Sequence, residues 1–176
     1  METNKKLDKV FDSENISYVR VSEYLVDDYL CMINDWENVG RFIGKNEPTS
    51  KEEEILWARR KLADQDFFLS MIEKSSGRFI GTIGIEDICN GRGELGIAIT
   101  ADMQNRGYGK EAIRTVCGIA FKELDLNVIY LKAFPFNERA LHVYRECGFE
   151  EYDCNEDDIF LEIRKDEFFL SDKEHS

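Results

Sequence analysis

Apolar residues recur along this chain with two periods, every second residue in some stretches and every third or fourth in others, and the changeovers mark out strands and helices. Residues 16–21 alternate as a first strand, and 24–34 place Leu25, Tyr29, Met32 and Ile33 at helical spacing. A second short helix is expected over 36–42. Pro48-Thr49-Ser50 followed by Glu52, Glu53 and Glu54 is a helix start signal, and the residues from Leu56 to Leu62 continue that helix. Strand-like runs at 67–73 and 78–86 flank Lys74-Ser75-Ser76-Gly77, a turn of hairpin length, and 94–100 is the next strand. From 107 to 124, Ile113, Val116, Cys117, Ala120 and Leu124 give a helix with one buried stripe, and Arg106, Lys110 and Arg114 fall on another face. A β-rich run at 128–134 stops at Pro135, after which Asn137 caps a helix that carries Ala140, Leu141 and Tyr144 and ends at Gly148. Residues 149–154 and 159–164 form a closing hairpin around Asn155-Glu156-Asp157-Asp158, and the ends, near 1–12 and 171–176, are expected to fray.

No Pro/Gly/Ser-rich linker and no internal repeat interrupts the 176 residues, so a single domain over 1–176 is expected. The chain opens on the polar run Met1-Glu2-Thr3-Asn4-Lys5-Lys6, and no apolar run is long enough to cross a bilayer, which predicts a soluble cytoplasmic protein. A net charge of -13 argues against nucleic acid or an anionic membrane as partner, since both demand a basic face. It is compatible with a cationic substrate, and equally with carboxylates that simply keep a protein soluble. Cys31, Cys89, Cys117, Cys147 and Cys154 are odd in number and scattered, with no C-x-x-C pair or Cys/His cluster, so neither a disulfide framework nor a metal site is expected.

The chemistry concentrates at Gln104-Asn105-Arg106-Gly107-Tyr108-Gly109-Lys110, which joins a strand to an amphipathic helix. Gly107 and Gly109 let the backbone turn tightly, and the first N–H groups of the helix lack intrahelical partners, so the junction suits a phosphate. In the strand before it, Leu95, Ile97 and Ile99 point one way while Gly96 and Ala98 leave the other face nearly bare, room for an amide-bearing ligand arm. Pro135 weakens pairing beyond Phe134, so the two strands are expected to part there; a proline that merely ends a strand reads the same way. Gly107-Tyr108-Gly109-Lys110-Glu111-Ala112 also fits a dinucleotide fingerprint, but the following strand ends Ala133-Phe134-Pro135, without the acid that would hold a ribose. A nucleotide-triphosphate loop lacks its Gly-Lys-Ser/Thr here.

These residues resemble the GCN5-related N-acetyltransferase superfamily, whose acetyl-CoA pyrophosphate loop, Gln/Arg-x-x-Gly-x-Gly/Ala, is matched by Gln104-x-x-Gly107-x-Gly109. Asn137-Glu138-Arg139-Ala140-Leu141-His142-Val143-Tyr144-Arg145-Glu146-Cys147-Gly148-Phe149 looks like the superfamily's Asn-x-x-Ala-x-x-x-Tyr-x-x-x-Gly-Phe segment. The resemblance runs from about Phe67 to about Arg164; upstream, Asp35-Trp36-Glu37-Asn38-Val39 and Phe42 are similar to the ribosomal-protein and polyamine acetyltransferase branches. It implies an α/β fold with a mixed, mostly antiparallel sheet of six to seven strands, splayed between its central strands and flanked by helices. It further implies acetyl-CoA as donor, with its pantetheine arm on the backbone of Ile97, Ala98 and Ile99. The pyrophosphate would lie on Gln104, Asn105, Arg106, Gly107, Tyr108, Gly109 and Lys110, and Asn137 would also contact the donor.

In the same resemblance Tyr144 matches the proton donor to the leaving thiolate and Glu94 the position of a general base, with no metal. Each has a structural alternative: Tyr144 at its spacing from Ala140 fits a buried stripe, Asn137 fits a plain helix cap, and Glu94 fits a solvated strand-end carboxylate, with Glu86 and Asp87 also available. His142 lies two residues from Tyr144, nearly on the opposite face, so neither it nor His175 in the tail suits catalysis. The implied acceptor is a cationic primary amine, a protein N-terminus of the ribosomal type ahead of a polyamine, with aminoglycosides open. The acids of the final hairpin, Glu150, Glu151, Asp153, Glu156, Asp157 and Asp158, border its entrance in the resembling fold or simply face water. A CoA-binding regulatory module without catalysis is the rival from another class, and a homodimer through sheet edges is compatible with the superfamily.

Overall fold

In the computed structural model, which describes residues 7–64 and 67–174 (side chains to 171), the alternating runs become strands β1 (Lys9–Asp12), β2 (Ile16–Arg20), β3 (Phe67–Glu73), β4 (Phe79–Cys89), β5 (Arg92–Ile99), β6 (Val128–Ala133), β7 (Glu150–Cys154) and β8 (Ile159–Arg164). The helices are α1 (Val26–Ile33), α2 (Lys51–Ala63), α3 (Tyr108–Glu123), α4 (Glu138–Glu146) and α5 (Lys165–Glu174). The strands lie in one sheet in the order β1-β2-β3-β4-β5-β6-β8-β7. Pairing is antiparallel between β1 and β2, β2 and β3, β6 and β8, and β7 and β8, and parallel between β5 and β6. This is the mixed, mostly antiparallel α/β sheet expected, with eight strands where six or seven were read.

The chain divides into two compact units, the first running to Gly84 and including Ile97–Tyr108, the second made of Ile85–Gly96 and the chain from Gly109 onward. In the first unit Val19, Val21, Leu25, Val26, Tyr29, Ala58 and Ile72 form a buried cluster against which Trp57, Phe68 and Phe79 pack. The Tyr29 hydroxyl lies 2.6 Å from the Ser70 hydroxyl and accepts from the Ser22 N–H at 3.1 Å, so its burial leaves no polar atom stranded. The predicted start of α2 is a full capping box: Ser50 Oγ accepts from the Glu53 N–H, and the Glu53 carboxylate accepts from the Ser50 N–H at 2.8 Å.

In the second unit the predicted stripe of α3 is buried at Ile113, Val116, Cys117 and Ala120, while Leu124 is half-exposed just past the helix end. The parallel register of β5 and β6 pairs Arg92 with Val128, Gly93 with Ile129 and Glu94 with Tyr130, and ends there although both strands continue.

Three expectations about local structure change. The helix read over 36–42 is a turn followed by a short 3₁₀ segment at Gly40–Ile43, because Asp35 takes the N–H groups itself: its carboxylate accepts from Asn38 N–H at 3.2 Å and its carbonyl from Val39 and Gly40. Residues 9–12, expected to fray, form β1, with Phe11 stacked on Tyr18 at 4.5 Å. The other end expected to fray, from 171, is still helical as far as Glu174.

Candidate active site

The loop that carries the phosphate prediction begins in the first unit. After β5 a 3₁₀ turn (Ala101–Met103) leads to Gln104, whose side-chain amide donates to the carbonyl of Ile99 at 2.9 Å and of Asn38 at 3.2 Å. Its backbone N–H donates to Ala101. Gln104 therefore fixes where the loop departs from β5, and its donors are engaged inside the fold. Beyond it, Asn105 at φ 59 and Gly107 at φ 86 lie in the left-handed region, and a Cβ at Gly107 would meet nothing within 4 Å. The N–H groups of Asn105, Arg106 and Gly107 have no backbone acceptor among the described residues. Consecutive amides in such a turn, ahead of a helix N-terminus, make an anion-binding concavity. Arg106 is exposed, with its guanidinium 5.5 Å from the Tyr108 ring centroid.

From Gly109 the chain belongs to the second unit, where α3 presents Lys110, 3.7 Å from Glu146, and Arg114. Ile97, Ala98 and Ile99 are half-buried at the end of β5. The space beside Gly96 is open, a Cβ there meeting only Glu86 Oε2 at 3.9 Å. That is the bare face expected from the sequence.

Glu94 is half-buried in β5, opposite Tyr130. Burial pushes its carboxyl above the usual range; Lys132 opposes the shift, and Asp87 and Glu86 reinforce it. Tyr130 is raised by burial and then by Glu94 and Asp87. Glu86, Asp87 and Glu94 thus share one acidic neighbourhood, where a proton or an ammonium group is favoured.

Tyr144 sits in α4 with its ring buried against Phe149, centroids 6.2 Å apart, and burial pushes its phenol up to about 12, with Cys147 adding to the shift. Its hydroxyl has no hydrogen-bond partner among the described residues, and none of their buried side-chain oxygens lacks one. Asn137 is the helix cap, its Oδ1 accepting from the Ala140 N–H at 3.4 Å. His142 faces solvent, 3.6 Å from Glu146. β7 is exposed throughout, and its Glu151 pairs with Arg145 at 3.5 Å. Cys117 and Cys147 are buried and the other three cysteines exposed. Among the described residues no cluster of His, Cys, Asp and Glu could hold a metal ion.

Two residues of the loop's surroundings were not singled out from the sequence. Glu73, at the end of β3, receives Arg106 and Tyr108; Gly81, in β4, lies so near β5 that a Cβ would stand 2.0 Å from the Ala98 carbonyl oxygen. The glycine had a signal, Gly81-Thr82-Ile83-Gly84 inside a strand; the glutamate looked like any polar strand end.

Over 96 residues, 53% of this chain and 56% of the relative, the sequence is 28% identical to spermidine N(1)-acetyltransferase of Vibrio cholerae. The chain spans about half the length of the curated relatives it matches. The crystal structure of spermidine N-acetyltransferase from Vibrio cholerae in complex with CoA and spermine has a TM-score of 0.78 at 18% identity, covering 89% of this chain and 99% of that one. Ribosomal-protein-S5-alanine acetyltransferase from Vibrio fischeri has a TM-score of 0.67 at 18% identity, covering 90% and 97%. At those identities the likeness establishes the fold. The model of the acetyltransferase (GNAT) domain matches residues 18–150, most of the sequence, and the chain therefore belongs to the GNAT acetyltransferase family.

Proposed function

We propose that this protein transfers the acetyl group of acetyl-CoA to a cationic primary amine. The observation that carries this reading is the Asn105–Gly107 turn, whose left-handed residues and unengaged N–H groups fit a pyrophosphate at the start of α3. Acetyl-CoA would supply an activated thioester. The chain's own residues would do the rest: the loop and Lys110 hold the phosphates, and the backbone of Ile97, Ala98 and Ile99 aligns the pantetheine arm. The Tyr144 hydroxyl donates a proton to the departing sulfur, and Glu94 takes the proton that the amine must lose, directly or through water. Asn137 Oδ1 caps α4, the helix that carries Tyr144, and its side-chain N–H groups would contact the donor.

A carboxylate base works only when ionised, and burial raises the Glu94 carboxyl above the usual range. On this reading kcat/KM climbs as pH rises through that raised value, and Glu94→Gln removes the limb and lowers kcat/KM about tenfold or more. A Glu94→Gln enzyme with a wild-type pH-rate profile would instead make Glu94 a strand-end carboxylate.

For the acceptor, the upstream segment around Asp35–Val39 is similar to both the ribosomal-protein and the polyamine branches, and a protein N-terminus is one candidate. A polyamine is favoured by a separate finding, the spermidine acetyltransferase named among the relatives, and by the acidic neighbourhood of Glu86, Asp87 and Glu94. CoA-thiol release, corrected for the protein's own thiols, is measured against N-terminal peptides, polyamines, aminoglycosides and amino acids. Release with one amine class identifies the acceptor; CoA binding without release to any amine favours a regulatory CoA-binding module.

A further inference from the structure

Glu73 closes β3 in the first unit with its side chain buried, and three donors converge on it. Arg106 Nη2 donates to Oε1 at 3.1 Å, the Tyr108 hydroxyl donates to the same oxygen, and the Ser76 hydroxyl donates to Oε2. Arg106 and Tyr108 are the residues on either side of Gly107. By charge alone, a carboxylate close to an anion-binding loop works against a phosphate. Its placement makes sense through geometry instead.

We propose that Glu73 is a positioning residue for the pyrophosphate loop: by gripping Arg106 and Tyr108 it holds the turn at Gly107 in the conformation that presents the N–H groups of Asn105, Arg106 and Gly107 to CoA. The proposal rests on the acetyl-CoA reading above. A loop fixed before binding does not have to be ordered by its ligand, and hydrogen bonds to an ionised acceptor hold more firmly than neutral ones. The Ser76 and Tyr108 hydroxyls, with Arg106 and Arg78 nearby, keep the carboxyl below its ordinary range, so the grip persists at neutral pH. Ser76 belongs to the β3–β4 turn, so that the hairpin and the loop are secured on one carboxylate.

Calorimetric titrations with CoA and with pantetheine, which shares the arm but lacks the pyrophosphate, compare wild type with Glu73→Gln and Tyr108→Phe. Kd for CoA is expected to rise about tenfold in Glu73→Gln and about threefold in Tyr108→Phe, with pantetheine binding unchanged within twofold. Equal losses for both ligands show a merely structural role and overturn the proposal, as does unchanged or tighter CoA binding. Where Glu73→Gln does not fold, the uncharged change Tyr108→Phe decides alone by the same criterion. A wild-type protein that binds CoA but acetylates no amine ends the transferase reading and leaves the role of Glu73 to these titrations. A wild-type protein that binds no CoA overturns both.

Discussion

Replacing Tyr144 with phenylalanine is expected to lower kcat about a hundredfold while Kd for CoA stays within twofold, the loss typical of removing a positioned proton donor. The substitution is clean because the ring and the hydroxyl do different things. The ring is buried beside Phe149, and phenylalanine keeps that packing. The hydroxyl has no partner among the described residues, so deleting it strands no buried donor or acceptor, and the melting temperature should hold. Burial pushes the phenol up to about 12, which keeps it protonated at any working pH. The donor form is lost only as pH rises through that value, so no alkaline fall in rate below about pH 10 belongs to Tyr144. Steady-state kinetics with the best amine across pH check this; an unchanged kcat leaves Tyr144 a core aromatic and removes it from the reaction.

What the sequence disclosed follows how local each signal is. The helix start at Ser50, the stripe of α3 and the cap at Asn137 depend on residues three or four apart, and they stand where they were read, save that Leu124 falls just past the end of α3. β1 and α5 depend on distant partners. Phe11 is held by Tyr18 across the sheet, and Phe168 is buried in a helix otherwise rich in polar residues because it packs on Phe121 and Gly118 of α3. No periodicity within Lys165–Glu174 announces that contact. The helix expected over 36–42 fails for the opposite reason, a short-range competitor: Asp35 offers the backbone a turn that apolar spacing does not register.

The site divides along the same line. The left-handed turn at Gly107 was legible because glycine spacing is a local statement about backbone. The packing of Gln104 was not: the motif implies a contact with the donor, and nothing local to it announces that its amide also ties the loop to Ile99 and Asn38. Glu73 escaped notice because it lies 33 residues from Arg106 and has meaning only once β3 and the loop are neighbours.

Gly81→Ala is expected to be the most damaging single methyl in the first unit, since the added Cβ would lie 2.0 Å from the Ala98 carbonyl oxygen and 2.9 Å from the Ile99 Cα. Both obstacles are backbone, so no side chain can swing aside, and β4 and β5 must separate locally. Overpacking of this kind costs about 3 kcal/mol, and for a chain of this size it lowers the melting temperature by roughly 6–12 °C. The damage also falls where the donor is proposed to bind. Displacing the Ala98 carbonyl disturbs the backbone of Ile97, Ala98 and Ile99, so Kd for CoA should rise at least tenfold even at temperatures where the variant is folded, if about 1.4 kcal/mol of binding depends on that alignment. Thermal melts and CoA titrations on the same preparations separate the two effects. A variant that melts early yet binds CoA as wild type does would show that β5 supports the sheet without holding the pantetheine arm, and would move the donor's peptide contacts elsewhere.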